Sequence, residues 1–512
     1  MRRAMRVGRM LTFLVLCPLA IPAAHAADPA EVETLKKQVQ SLQRTVEQLQ
    51  RTIQSMQQET AARDEKIQQQ VQQVETAQKQ QTAALQARLE SPLDQALKEL
   101  GVEERQPMST DLLSRRIGGA NLRLLDLSLD GLFAAGSSTE REEVLQTLQG
   151  GGHDPRKRGF TVQNVEMSLM GAVDPYFTGE AHLIYFIDPL EGESVFELEE
   201  AFLTTTSLPY GLQLEAGQFF TEFGHINPRH PHQWDWQDQP VINTRLFGPD
   251  GMRGPGFRLG WLLPTPQLFE TPWFSELHFG MQNANGETMA SFLASEEFYE
   301  ERPIGGRSFV ERDVRQLKDL LYLTRWNNSW NVTDALTSVI GFSGLYGPNA
   351  TGLNGDTWIY GMDMKWRWRP ANNFRGWPFL TWQTEIMQRD FTAGRFVDDS
   401  NPDELITLPG RTFHDWGLYT QLLYGFQYGW AAGLRYEYAG GSGESVGGRK
   451  NDPFRSDRHR VSPLLAWHPT EFSRIRLQYN FDYAGFLAGG KDAHSVWLGF
   501  EFMYGAHAAH IY

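Results

Sequence analysis

The stretch VWLGFEFMY, Val496 to Tyr504, puts Val496, Leu498, Phe500, Phe502 and Tyr504 on one face of an extended chain and Trp497, Gly499, Glu501 and Met503 on the other. Just upstream, Ile475, Leu477, Tyr479, Phe481 and Tyr483 alternate with Arg474, Arg476, Gln478, Asn480 and Asp482. Further back, Trp358, Tyr360, Met362, Met364, Trp366 and Trp368 alternate with Gly361, Asp363, Lys365 and Arg367. A helical period is absent from all three stretches. An apolar face opposite a charged one predicts strands with acyl chains on one side and water on the other. A soluble sandwich would produce the same alternation, so the connections decide.

From Asn121 onward the period-two segments are separated by alternating short and long connections. Short turns are read at Asp174–Tyr176, Ser207–Tyr210, Pro264–Pro266, Asn331–Asp334, Pro370–Asn372 and His468–Thr470. Between them lie longer connections, Ser137 to Arg158, His225 to Met252, Ala284 to Gln316, Arg389 to Thr412 and Gly440 to Asp457. This asymmetry belongs to membrane barrels with short inner turns and long outer loops. About sixteen strands of roughly ten residues are expected, an even number that returns both ends of the barrel to one side. The expected fold is thus all-β and transmembrane, a closed antiparallel β-barrel of about 16 strands over residues 119–512. Tyr512, a terminal aromatic, fits the same expectation.

The first 26 residues read as an export signal, with Arg2, Arg3, Arg6 and Arg9, an apolar run from Leu11 to Ile21, and Ala24-His25-Ala26 as cleavage site. Cys17 is the single cysteine, between Leu16 and Pro18, which argues against lipid attachment and leaves the processed chain without a thiol. The chain has 62 acidic against 47 basic residues, and four of the latter lie in the signal. Nucleic acid is therefore not an expected partner. Twelve per cent aromatic residues combine with a mean hydropathy of −0.44, as expected where only alternate residues meet lipid. Residues 30–90 read as a coiled coil. Val32, Val39, Val46, Ile53, Ile67 and Val74 share one heptad position, and Leu35, Leu42, Leu49 and Met56 share the other. Thr60, Arg63 and Gln70 loosen the seam. β-Branched residues at one position with leucine at the other favour two strands by the simple rule. Ser91-Pro92 ends the helix, and residues 91–118 read as a linker.

The stretch LQLEAGQFFTEFG, Leu212 to Gly224, followed by a long loop and DQPVINTRLFGPDGMRGPGFRLG, Asp238 to Gly260, resembles the phosphate-selective porin O and P family. RHRVSPLLAWHPTEFSRIRLQYNFDY, Arg458 to Tyr483, is similar to the penultimate hairpin of many porins. The resemblance implies a homotrimeric outer-membrane channel for passive diffusion of small polar or charged solutes, in some members preceded by a coiled coil, here on the periplasmic side and near peptidoglycan. A trimer conflicts with the two-strand rule, and an oligomeric barrel is expected to override it. The lysine-dense ladder of phosphate channels is not found, so phosphate is not the expected solute. The chain is also similar to outer-membrane proteins described as zinc-regulated, which implies metal-ion uptake as an alternative. A tether between membrane and peptidoglycan is a third reading, compatible with the first.

By strand count, His225 to Met252 is the third outer loop, expected to fold inward and narrow the passage. Trp234 and Trp236 are expected to pack on the wall while Arg229, Asp235, Asp238, Arg245 and Asp250 face the lumen. Inward strand positions add Arg258, Arg325, Lys365, Arg367, Arg435, Arg460, Arg474 and Arg476, with Glu180, Glu197, Glu199, Glu385, Glu437 and Asp482 offsetting them. Either a basic wall faces an acidic one across the passage, or these charges pair between neighbouring strands. His225, His230 and His232, within eight residues, are candidate ligands for zinc or copper. No H-E-x-x-H or phosphate-loop motif occurs, so neither catalysis nor a cofactor is expected.

Overall fold

The computed structural model describes residues 114–117, 120–123 and 125–505, except 189–191, 266–271, 399–405 and 488–491. The signal, the coiled coil and most of the linker lie outside the described residues. A short antiparallel pair, Ser114–Ile117 with Ala120–Arg123, occupies the end of the stretch read as linker.

Sixteen strands form a closed barrel in which each pairs antiparallel with its sequence neighbours. They are β1 Asp126–Ser138, β2 Gly159–Ala172, β3 Phe177–Ile187, β4 Ser194–Thr205, β5 Leu212–Phe220, β6 Arg253–Leu262, β7 Trp273–Asn283 and β8 Leu320–Thr333. β9 Leu336–Pro348, β10 Asp356–Trp368, β11 Phe379–Ala393, β12 Arg411–Gln427, β13 Trp430–Ser442, β14 Arg458–Thr470, β15 Ser473–Ala484 and β16 Asp492–Gly505 complete it. Closure is made by β16 on β1, with Val496 opposite Ser137 and Gly505 opposite Ser128. Closure removes the two free edges of an open sheet, and the shortest seam is that between β4 and β5, Ala201–Thr204 with Glu215–Gln218.

The alternation read in the sequence is the inside–outside alternation of this wall. On β16, Leu498 is 51% exposed and Trp497 is 0%. On β15, Leu477, Tyr479 and Tyr483 face out while Arg474, Arg476, Gln478, Asn480 and Asp482 are buried inside. Outward rings gather near both rims. Tyr346 with Trp358, and Trp416 with Tyr438, lie towards the long loops at centroid separations of 4.5 and 4.7 Å. Trp366 with Trp382, and Trp430 with Trp467, lie towards the short turns at 5.7 and 5.6 Å. Trp358 and Trp368 lie at opposite ends of β10. Ten residues at about 3.3 Å each, tilted by about 40°, put them about 25 Å apart along the barrel axis.

The inner face departs from expectation. It is not uniformly polar: Leu321, Leu323, Leu345, Ile359 and Met387 point inward and are buried. They join a cluster with Phe223, Ile226, Trp234, Val241, Ile242, Leu246, Phe247 and Met252, all from the β5–β6 connection, and with Met289, Phe292 and Leu293 from the β7–β8 connection. The barrel thus encloses an apolar core of its own, because two long connections bring their hydrophobic residues to the inward positions of the wall.

Two β-bulges shape the interior. Between β1 and β2 the register shifts at Gln163, and between β3 and β4 at Glu199. A bulge turns two consecutive residues to one side. Gln163 and Asn164 are accordingly both buried, as are Glu199 and Glu200.

Candidate functional site

The connection 221–252 runs inside the barrel, and its sequence explains how it stays there. Prolines at 228, 231 and 240 remove amide donors that would otherwise need partners. The remaining backbone groups are met by charged side chains of the wall. Glu385 on β11 accepts from the amides of His225 and Ile226 at 2.7 and 2.9 Å. Glu437 on β13 accepts at 2.6 Å from the amide of Val241, the first residue of helix α1, Val241–Phe247. Arg474 donates to the carbonyl of His232 at 2.9 Å, and Arg476 to those of Trp234 and Trp236 at 3.1 and 3.0 Å. Each such bond satisfies a buried polar group that could not otherwise leave water.

Trp236 fills the second inner cluster, with Trp377, Phe379, Leu423, Ala431, Leu464 and Ala466, and donates Nε1 to the Ser462 carbonyl at 2.9 Å. Trp234 packs in the first cluster and bonds the Arg229 carbonyl at 3.0 Å. Both tryptophans therefore hold the connection, as expected from the sequence.

Asp238 does not face water. It is 1% exposed and forms ion pairs with Arg435 and with Arg460, the latter at 3.0 Å, and accepts from Gln478 and Asn480 at 2.8 and 2.9 Å. Burial pushes its carboxyl up, but Arg435 and Arg460 outweigh that and hold it at about 2. The same correction applies to several wall arginines. Arg325 pairs with Asp363 at 2.7 Å, Arg474 with Glu501 at 2.5 Å and Arg476 with Glu501 at 3.0 Å, all buried. Arg258 is split between Glu222 and Glu215 at 2.7 and 2.9 Å. Arg245, on α1, donates to the Pro453 carbonyl at 3.2 Å, and the Asp250 carbonyl accepts from Arg253 at 2.7 Å. Charge pairing, between strands and between wall and connection, is therefore the main use of these residues.

A cavity of about 530 Å³ lies between this connection and the short-turn end of the wall. Arg229, Asp235 and Glu222 line it from the connection, and Lys365, Arg367 and Arg474 line it from β10 and β15, with Gln383 and Gln421 between. Of the sequence candidates, then, Arg229, Asp235, Lys365, Arg367 and Arg474 meet at one cavity, whereas Asp238, Arg325, Arg435 and Arg476 lie in the packed interior.

The three loop histidines separate. His225 approaches Asp363 at 3.3 Å. Burial, with Arg229, Lys365 and Arg325 nearby, holds its imidazole well below the usual histidine range, so the contact is between a neutral ring and a carboxylate already paired to Arg325. His230 and His232 instead converge on Glu166 of β2, each with Nδ1 3.2 Å from Glu166 Oε2. His182 of β3 meets the same carboxylate, Nδ1 to Oε1, at 3.0 Å. Glu199 and Glu200, turned inward together by the bulge on β4, lie 2.9 and 2.8 Å from His230. Glu166, His182 and Glu200 were not singled out in the sequence. The only available signal was polar residues at inward positions, and the bulge erased the alternation that would have placed Glu199 and Glu200 together.

No family model matches the chain. An uncharacterized protein of Aquifex aeolicus (strain VF5) is 29% identical over 409 residues, 76% of this chain and 78% of that one. Among solved structures, the outer-membrane channel DcaP of Acinetobacter baumannii covers 74% of this chain and 97% of its own at 8% identity, with a TM-score of 0.45. An anion-selective porin from Comamonas acidovorans covers 74% and 100% at 8% identity, with a TM-score of 0.44. At this level of likeness the architecture rests on the strand register, not on the neighbours.

Proposed function

We propose that the chain is a porin-type channel of a bacterial outer membrane, passing small polar or charged solutes by passive diffusion, with the connection 225–252 as its constriction. The observation that carries this reading is the sidedness of the wall. Its outer face is apolar, and from β9 to β14 two aromatic girdles about 25 Å apart bound that face, a band that suits a bilayer. Its inner face is charged where it borders the cavity. The even strand number returns Gly505 to the short-turn end from which Asp126 starts, and under this reading that end is periplasmic, with the coiled coil on the same side.

A homotrimer is part of the proposal. All fifteen tryptophans of the chain lie at or beyond Trp234, so the outward positions of β1–β5 carry none, while large apolar residues such as Phe196, Leu198 and Leu203 are exposed there. A face without an interfacial tryptophan girdle suits contact with other subunits better than contact with lipid headgroups.

Purified protein in a planar bilayer is expected to give discrete conductance steps. Reversing charge at the cavity with Lys365→Glu should move the reversal potential in a salt gradient towards cation preference. Absence of any steps would overturn the channel.

A further inference from the structure

We infer that Glu166, His182 and His230 form a site for a divalent transition-metal ion inside the barrel, joining the inserted connection to β2 and β3. One potential ligand atom from each of these three buried residues lies within 4.8 Å of the other two. They come from three separate elements, so no single helix or turn accounts for their convergence.

The second observation is what surrounds them. His230 Nε2 is hydrogen-bonded to Glu200 Oε2 at 2.8 Å. Nδ1 of the same ring lies 2.9 Å from Glu199 Oε2 and 3.2 Å from Glu166 Oε2. Neither approach makes a hydrogen bond, and both Glu199 oxygens are buried without a hydrogen-bond donor. The His230 ring and the carboxylates of Glu166 and Glu199 thus crowd one buried point, and a cation there gives all three a common partner. A carboxylate on the far ring nitrogen is the usual outer partner of a ligating histidine, fixing the ring and raising its basicity. Glu200 has that position.

The donor set selects the ion. Imidazole nitrogen with carboxylate oxygen, and no thiolate, suits zinc, nickel or copper(II) rather than magnesium or calcium, which take oxygen alone. Metal–ligand distances of about 2.0–2.2 Å put tetrahedral donors about 3.3 Å apart; His230 Nδ1 is 3.2 Å from Glu166 Oε2 and His182 Nδ1 is 3.0 Å from Glu166 Oε1, so small side-chain rotations bring one donor from each residue onto one ion. His232, with Nδ1 3.2 Å from the same Glu166 oxygen, is within reach as a further ligand. His225 is not in the cluster; it sits by Asp363 on β10.

The test uses the full-length protein in detergent, stripped with chelator and titrated with zinc against a competing fluorescent indicator. Binding is measured without an open pore, so it stands or falls separately from conductance. One zinc per chain is expected. His182→Ala and His230→Ala should weaken it at least about tenfold, and His225→Ala should leave it unchanged. Heat-modifiable gel migration shows whether each variant is folded. For a variant that does not fold, zinc K-edge absorption on the wild-type protein decides, with scattering from at least two imidazoles expected. No stoichiometric zinc, an oxygen-only shell, or binding that survives both histidine substitutions in folded protein would overturn the site.

Discussion

At the scale of single residues, Asp238 shows how a charge reads differently in sequence and in place. Two guanidiniums and three side-chain amides, of Gln149, Gln478 and Asn480, converge on it, in a position with 1% exposure. Replacing it by alanine leaves Arg435 and Arg460 short of a counter-charge in the interior, a loss of about 3–5 kcal/mol. A fall in the denaturant midpoint followed by tryptophan fluorescence would report it; an unchanged midpoint would mean that water replaces the carboxylate. The clamp also has a pH window. Asp238 sits at about 2, below the roughly 3.9 of an unfolded aspartate, so the folded state holds fewer protons. Its contribution is complete above about pH 4–5 and is lost as pH falls through 4 towards 2. In Asp238→Asn the acid limb of the stability profile should flatten over that interval.

At the scale of elements, the connection between β5 and β6 behaves as part of the interior rather than as a surface loop. Its helix α1 has seven residues, too few to be stable alone. It persists because Ile242, Leu246 and Phe247 pack among inward residues of the wall and because Glu437 satisfies its first amide. Glu385 does the same for His225 and Ile226. Glu385→Ala removes a buried acceptor shared by three donors, those two amides and the Tyr419 hydroxyl, at about 1–3 kcal/mol for each group left unmet. Hydrogen exchange should then quicken at His225 and Ile226 while strand amides of β14 and β15 keep their protection. Equal acceleration throughout would show that the barrel, not the connection, had loosened.

At the scale of the whole molecule, the outer surface falls into two sectors, one with tryptophan and one without. Leu198 on β4 and Leu434 on β13, a strand that carries Trp430, are both exposed near mid-strand, at 47% and 53%. Arginine at either costs about 2–4 kcal/mol if that position meets the bilayer midplane. If β1–β5 is the subunit contact, Leu198→Arg should shift the protein from trimer to monomer in analytical ultracentrifugation, whereas Leu434→Arg should leave the oligomer intact. The opposite pattern would move the interface to the other sector.

Period-two patterning and loop asymmetry were enough to number the strands from sequence: the stretches at Trp358 and Ile475 fall on β10 and β15, as counted, and His225 to Met252 falls in the connection after β5. That much is local, because the side-chain period of a strand is fixed by its backbone, and a closed barrel repeats it at every strand. That the connection after β5 turns inward was legible too; which wall residues it meets there, and how the charges pair, were not. A basic residue facing inward has the same kind of neighbours in sequence whether it lines the cavity, as Lys365 does, or pairs with Asp363 in the interior, as Arg325 does. Which of these holds depends on atoms dozens or hundreds of residues away. The gathering of His182, His230 and Glu166 is of the same kind: three strand or loop positions without a shared period, brought together only when the barrel closes around the chain that enters it.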